Sequence, residues 1–218
     1  FFAGSGSTAN AIMELNTDGA NRKFICVQLP EPTDKAKAAY KAGYETIFDI
    51  TKARIKKSAE KIHNEYPDYK GDLGFKIFET LPIFEGYLDN IERLEGETLE
   101  LFDGSILSDE QIEHLLTTWK VYDGISLTQP LIETDLSGYI AHRHDKVLYL
   151  MHQGFTTESL KDFLSKLDET DNDGKTFDVE KLVLFGYNFN SKNQLEINEA
   201  VRQYRNRKEK TVSVVVRY

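Results

Sequence analysis

The residue types best suited to chemistry stand at the start of the sequence. Gly4-Ser5-Gly6-Ser7-Thr8-Ala9 matches the pattern G-x-G-x-x-A, between the apolar run Phe1-Phe2-Ala3 and a helical pattern from Ala9 to Leu15. Glycine reaches positive φ at little cost and lets a ligand approach the main chain, so two glycines in such a turn suit a bound small molecule. The free amides opening the next helix favour a carboxylate or phosphate. A plain strand-to-helix turn without a ligand uses the same residues. A dinucleotide site asks for an acidic side chain about 20 residues on, where it can hold ribose hydroxyls. Gln28 stands there, with Glu31 three residues later, which weakens the dehydrogenase alternative.

Four other groupings are weaker. Glu169-x-Asp171-x-Asp173-Gly174-x5-Glu180 is one residue from a calcium-loop pattern, but a strand pattern follows Glu180 where a second helix is required. His142 and His144 alternate on a strand without a third ligand nearby, and read as solvated polar residues. Cys26 follows Ile25 inside an apolar run and reads as core rather than as the nucleophile of a 5-methylcytosine enzyme, which needs a Pro-Cys context. Lys52, Arg54, Lys56, Lys57 and Lys61 make a basic helix that either tracks phosphates or is simply a solvated face. No metal site is expected.

The elements that must position these residues follow from hydrophobic periodicity. Arg22 to Leu29, with Phe-Ile-Cys-Val at its centre, carries the continuous apolar signature of a strand buried on both faces. Helical patterns follow around Asp34–Ala42 and Thr46–His63, the second with Ile47, Ile50, Ile55, Ala59 and Ile62 on one side. Pro67 to Asp72 is a polar break, giving domains at 1–68 and 69–218. Gly74–Phe78 reads as a strand, and 82–107 is mixed. Ser108-Asp109-Glu110-Gln111 is a capping box opening a helix with Ile112, Leu115, Leu116 and Trp119 on one face. Strands at Leu131–Asp135 and Tyr139–His142 lead to Lys146–His152, a helix at Thr157–Leu167, a strand at Lys181–Gly186, a helix capped at Ser191-Lys192-Asn193-Gln194, and a strand at Thr211–Val216. That βαβαβ order predicts a small parallel sheet covered by helices.

Composition bounds the rest. The 218 residues carry 27 Lys+Arg against 36 Asp+Glu, for a net charge of −9, and 40% are hydrophobic. Residues 1–70 sum to +2, 71–200 to −16 and 201–218 to +5, so any nucleic-acid contact is expected at the two ends or outside this chain, because phosphate binding draws on basic residues. A single cysteine rules out a disulfide framework, and no apolar run is long enough for a membrane span. A cytoplasmic location fits. The chain opens on Phe1, read as the end of a strand, and is expected to be part of a longer protein.

The wording around the glycines narrows the reading. Phe1-Phe2-Ala3-Gly4-Ser5-Gly6-Ser7-Thr8 resembles the S-adenosylmethionine motif of amino DNA methyltransferases. Asn21 to Glu31 and Ala42 to Ile55 resemble one branch of them, the modification (Mod) subunits of type III restriction-modification systems. Residues 1–63 carry this likeness in three consecutive blocks, and the region from Leu73 onward carries it loosely. The resemblance implies a β-class adenine-N6 methyltransferase: part of a Rossmann-like S-adenosylmethionine-dependent sheet, followed by a smaller α/β C-terminal domain. It implies that Phe2, Ala3, Gly4, Ser5 and Gly6 line the methionine part of the cofactor. Ser7 and Thr8 meet its carboxylate, and Gln28 and Glu31 face its ribose or adenine. No Asp-Pro or Asn-Pro occurs, so the family's Asp-Pro-Pro-Tyr-type catalytic loop is expected outside the chain, and these residues alone are expected to be inactive. Implied partners are double-stranded DNA, mainly through regions upstream, the restriction (Res) subunit and a second Mod copy, with no membrane. An assembly module docking Res or a second Mod copy is the alternative, and an NAD-dependent Rossmann enzyme is a weaker one.

Overall fold

A computed structural model describes residues 2–82, 107–169, 177–208 and 211–218. Two compact units form, Phe1–Glu79 and Thr80–Tyr218. Among the described residues there are six α-helices and one five-stranded sheet, and no helix is long and apolar enough to cross a membrane.

The first unit is helical. Helix α1 (Ser7–Leu15) and helix α3 (Ile47–Glu65) pack together, with the short α2 (Ala38–Lys41) between them in sequence. Thr46 starts α3 through a reciprocal cap with Asp49, each taking the other's backbone amide. The buried stripe of α3 runs Thr51, Ile55, Ser58, Ile62, not along Ile47 and Ile50 as the apolar spacing suggested. Ile55 and Ile62 meet Ala9 and Met13 of α1 in a small core, with Phe24, Cys26, Leu73 and Phe75 packed partly against it.

Two expected strands are absent. Residues 22–29 are extended, but their main chain finds no neighbouring strand among the described residues. Phe24 and Cys26 turn to the core, whereas Ile25 is 90% exposed and Val27 and Leu29 also face outward. An apolar run becomes a buried strand only where other strands take its backbone hydrogen bonds. Gly74–Phe78 likewise lies extended without a ladder. The Rossmann-like sheet expected here is therefore not formed by the described residues of this unit, whose only ladder contact is an isolated bridge between Pro32 and Thr46.

The second unit follows its expected order closely. Helix α4 (Asp109–Tyr122) begins at the Ser108/Gln111 capping box. Strands β1 (Ile132–Leu136), β2 (Tyr139–His144) and β3 (Val147–Leu150) pair antiparallel in succession. Helix α5 (Thr157–Lys166) leads to β4 (Lys181–Phe185), and helix α6 (Ser191–Lys208) to β5 (Ser213–Arg217). Both β3–β4 and β4–β5 are parallel, so the predicted parallel trio is present, extended by an antiparallel hairpin into the order β1-β2-β3-β4-β5.

Each crossover steps to the adjacent strand in the same direction, so crossovers of one hand put both helices on one face. There, Leu160 and Phe163 of α5 and Ile197 and Val201 of α6 cover Leu148, Leu150, Leu182 and Leu184. The opposite pleat, Tyr149, Met151, Val183 and Phe185, lies under Ile112, Leu115, Leu116 and Trp119 of α4. Helix α6 is capped one residue earlier than expected: the Asn193 amide donates to Asn190 Oδ1 (2.9 Å), and Gln194 Nε2 donates to the Phe189 carbonyl (2.7 Å). Asn competes well with Ser for this position.

Candidate functional site

The glycine turn has the backbone that its sequence called for. Gly4 and Gly6 sit at φ +54° and +77°, and the Gly6 amide donates to the Ala3 carbonyl (2.9 Å). The Asn10 amide then takes the Gly6 carbonyl (3.1 Å) as α1 begins. No side chain caps α1, whose start carries the positive end of the helix dipole; Ser7 and Thr8 are exposed there, and Ala9 is buried. A Cβ on Gly4 would meet nothing within 4 Å, which leaves open space beside the main chain there. On Gly6 it would stand 3.2 Å from Thr51 Cγ2 and 3.3 Å from the Thr51 carbonyl.

The segment at 27–28 closes the loop's other side. The Ala3 amide donates to the Val27 carbonyl (2.9 Å) and the Gly4 amide to Gln28 Oε1 (2.7 Å). Gln28 Nε2 then donates to the Leu29 carbonyl (3.0 Å). The residue expected to face a ribose or adenine thus spends its amide on the loop itself. Glu31 is exposed, and its carbonyl accepts the Ile47 amide (2.9 Å). Phe2, at φ +50°, is 72% exposed rather than folded over the turn. Ala3, Gly4 and Ser5 are half-buried and Gly6 is buried.

The structure adds residues that the sequence reading passed over. Thr51, 4% exposed, places its hydroxyl 2.5 Å from the Gly4 carbonyl and 3.1 Å from that of Ile47. Two turns further along α3, the Ser58 hydroxyl lies 2.5 Å from Asn10 Oδ1. The available signal was two hydroxyl residues, seven apart, on an otherwise apolar stripe. Of the basic set on α3, Arg54, Lys57 and Lys61 border an open groove of about 500 Å³ with Asn10, Glu14 and Tyr44. Lys61 pairs with Glu14 (3.1 Å) there.

The second unit holds a buried ionic cluster. Asp123, its side chain 2% exposed, ends α4 and accepts from Tyr149 Oη (2.7 Å), Lys181 Nζ (2.5 Å) and both terminal nitrogens of Arg217 (2.6 and 3.0 Å). Burial alone would raise its pKa, but the hydrogen bonds from Arg217, Lys181 and Tyr149 outweigh it and hold the carboxyl at about 2. Burial and the bond to Asp123 push the Tyr149 hydroxyl upward. Arg217 also lies over the Trp119 and Tyr122 rings, 5.5 and 4.7 Å from their centroids. Every group here is satisfied by another, as in a structural clamp.

His142 and His144 do not converge. His144 Nδ1 is 3.1 Å from the Pro130 carbonyl, whereas the His142 ring lies 5.8 Å from that of His152. Both are half-buried rather than freely solvated, and burial, then His152, lowers the His142 pKa. Most of the calcium-like pattern, including Asp171, Asp173 and Gly174, lies outside the described residues, and Glu180 pairs with Lys146 (2.5 Å). Among the described residues, no three His, Cys, Asp or Glu side chains are grouped to hold a metal ion.

The first unit thus presents a helix start without a side-chain cap behind a two-glycine turn, and it is joined in sequence to a layered α/β unit. Residues 110–210 match the family model described as the type III R-M EcoP15I C-terminal domain. All 218 residues align with the type III restriction-modification enzyme EcoPI Mod subunit of Escherichia phage P1 at 44% identity, covering 33% of that protein. They align with the EcoP15I Mod subunit of Escherichia coli at 42%, covering 32%. A stretch of 71 residues, 32% of the chain, is 42% identical to 16% of the type II methyltransferase M.KpnI of Klebsiella pneumoniae. Over its whole length the chain is thus similar to Mod subunits of type III restriction-modification systems, and it spans about a third of the length of these relatives.

Proposed function

We propose that the chain supplies the S-adenosylmethionine-binding loop of a site-specific DNA adenine-N6 methyltransferase. The observation that carries this reading is the positive-φ pair Gly4 and Gly6 opening into the uncapped terminus of α1. The donor set suits the amino-acid end of the cofactor: amides of the first turn for its carboxylate, and open space beside Gly4 for the chain that carries the sulfonium. Ala3, Gly4, Ser5 and Gly6 form the wall, Ser7 and Thr8 the anion-accepting terminus, and Phe2 the outer flank. Gln28 holds the wall in place through Gly4, and Glu31 is the free carboxylate on the side where ribose hydroxyls would lie. The cofactor, when bound, contributes a methyl group activated on a sulfonium.

The loop orients that methyl; it offers no group to activate an adenine amine. Since no Asp-Pro or Asn-Pro occurs, these 218 residues by themselves methylate no DNA. In the full subunit the adenine is swung out of the duplex to reach the methyl. The partners of that subunit are double-stranded DNA, the Res subunit and a second Mod copy, and the cytoplasm is its place of work. A docking role for the second unit is favoured by its sheet, which ends among the described residues in two end strands, β1 and β5. A dinucleotide reading is disfavoured by Gln28, which turns back on the loop where a carboxylate would be needed.

Isothermal titration of the chain with S-adenosylmethionine tests the proposal. Weak saturable heat is expected, lost in Gly4→Leu, whose side chain fills the open side at a strained φ. Heat with NAD instead would move the reading to a dinucleotide enzyme. No heat from either ligand would leave docking as the role.

A further inference from the structure

We infer that Thr51 is a positioning residue for the glycine loop, setting the cofactor's amino-acid end from behind; this rests on the proposed S-adenosylmethionine reading. Thr51 lies one turn into α3, whose start is fixed by the Thr46/Asp49 cap. Its hydroxyl reaches across 47 residues of sequence to the Gly4 carbonyl at 2.5 Å, while the Gly4 amide is held by Gln28 Oε1 at 2.7 Å. Both polar groups at Gly4 are therefore tied down by side chains, which sets the plane of the peptide groups on either side.

The methyl of Thr51 adds a smaller, steric support. It stands against Gly6 so closely that a Cβ there would be 3.2 Å away, and this contact supports the +77° turn into α1. Thr51 is buried, so it touches no ligand itself. A left-handed turn has several conformations of similar energy when free, and a binding loop that must be ordered on each encounter loses affinity. The hydroxyl selects one by satisfying a carbonyl that would otherwise be half-buried without a partner. Serine keeps the hydroxyl and loses the methyl, whereas valine keeps the shape and loses the hydroxyl, so the two halves separate experimentally.

The test uses the protein at the full length its gene encodes, with equilibrium binding of S-adenosylmethionine and, in parallel, of adenosine, which lacks the amino-acid end. Thr51→Val is expected to weaken S-adenosylmethionine about tenfold, the equivalent of one hydrogen bond, with adenosine affinity unchanged. Thr51→Ser should bind both ligands within about twofold of the parent. If Thr51→Val does not fold, Thr51→Ala takes its place, with the same loss expected. Unchanged S-adenosylmethionine affinity in the valine or alanine variant overturns the positioning role, as does an equal loss for adenosine, which marks general damage. A parent protein that binds adenosine but shows no preference for S-adenosylmethionine overturns the reading beneath it instead.

Discussion

The two units differ in architecture, the first helical and the second a helix-covered sheet, and they are held together very differently. Among the described residues, the first has four buried apolar side chains in its core, Ala9, Met13, Ile55 and Ile62, and relies on polar struts at Thr51 and Ser58. Among the described residues, the second buries seventeen on one face of its sheet and nine on the other, and adds an ionic cluster at Asp123. A layered sheet gives each strand two neighbours and each face a helix, so burial accumulates. An extended segment without a partner strand buries only one side, and Ile25 on the outer side shows the consequence. The thin unit is the one with the candidate binding loop, whereas among the described residues the helix starts of the densely packed unit are capped by the side chains of Ser108, Thr156 and Asn190. Local stability and ligand-accessible backbone compete for the same atoms.

Four measurements would sharpen or break this contrast. Trp119, the single tryptophan, sits in the second unit, so its fluorescence reports that unit selectively. Asp123→Ala should cost about 3–5 kcal/mol in urea unfolding followed at Trp119, because Lys181 and Arg217 would be left facing each other without their shared anion. A cost under about 1 kcal/mol, the range of an exposed pair, would remove the cluster from the explanation. Phe163→Ala, in the helix-covered core, should cost about 3–4 kcal/mol on the same readout.

The pH dependence comes next in size. The Asp123 carboxyl is depressed from 3.8 to about 2, so its contribution is fully present above the unfolded value and is lost as pH falls toward 2. That amounts to about 2 kcal/mol, and the Trp119 transition of Asp123→Asn should lack this acid slope. The smallest effect concerns the caps. Thr46→Ala and Ser108→Ala should each cost about 1 kcal/mol. In amide hydrogen exchange, the Thr46 variant should open α3 over several turns, while the Ser108 variant frays only the first turn of α4, where core contacts resume at Ile112. Equal fraying would mean that the first unit is better buttressed than its sparse core implies.

The sequence was legible wherever the signal was local. The Ser108/Gln111 box, the i, i+3, i+4, i+7 face of α4, the glycine turn and the βαβαβ order of the second unit all depend on residues within one element or on element order. It misled at residues 22–29 and 74–78, where an apolar run describes what a segment prefers and not whether a neighbour is available to pair with it. It also misjudged α3, because Thr51 and Ser58 look like interruptions of an apolar face until their partners, Gly4 and Asn10, are in view.

By itself, the sequence determined the turn chemistry at Gly4 and Gly6, the Ser108 cap, the apolar face of α4 and the likeness to type III Mod subunits. These are set by steric freedom, hydrogen-bonding capacity and periodicity along one stretch of chain. Only the tertiary structure decided that Gln28 and Thr51 hold the Gly4 peptides, and that Asp123 gathers Tyr149, Lys181 and Arg217. Those contacts join residues 24 to 94 positions apart, and a hydrogen bond at that separation exists only once packing has brought its two ends together.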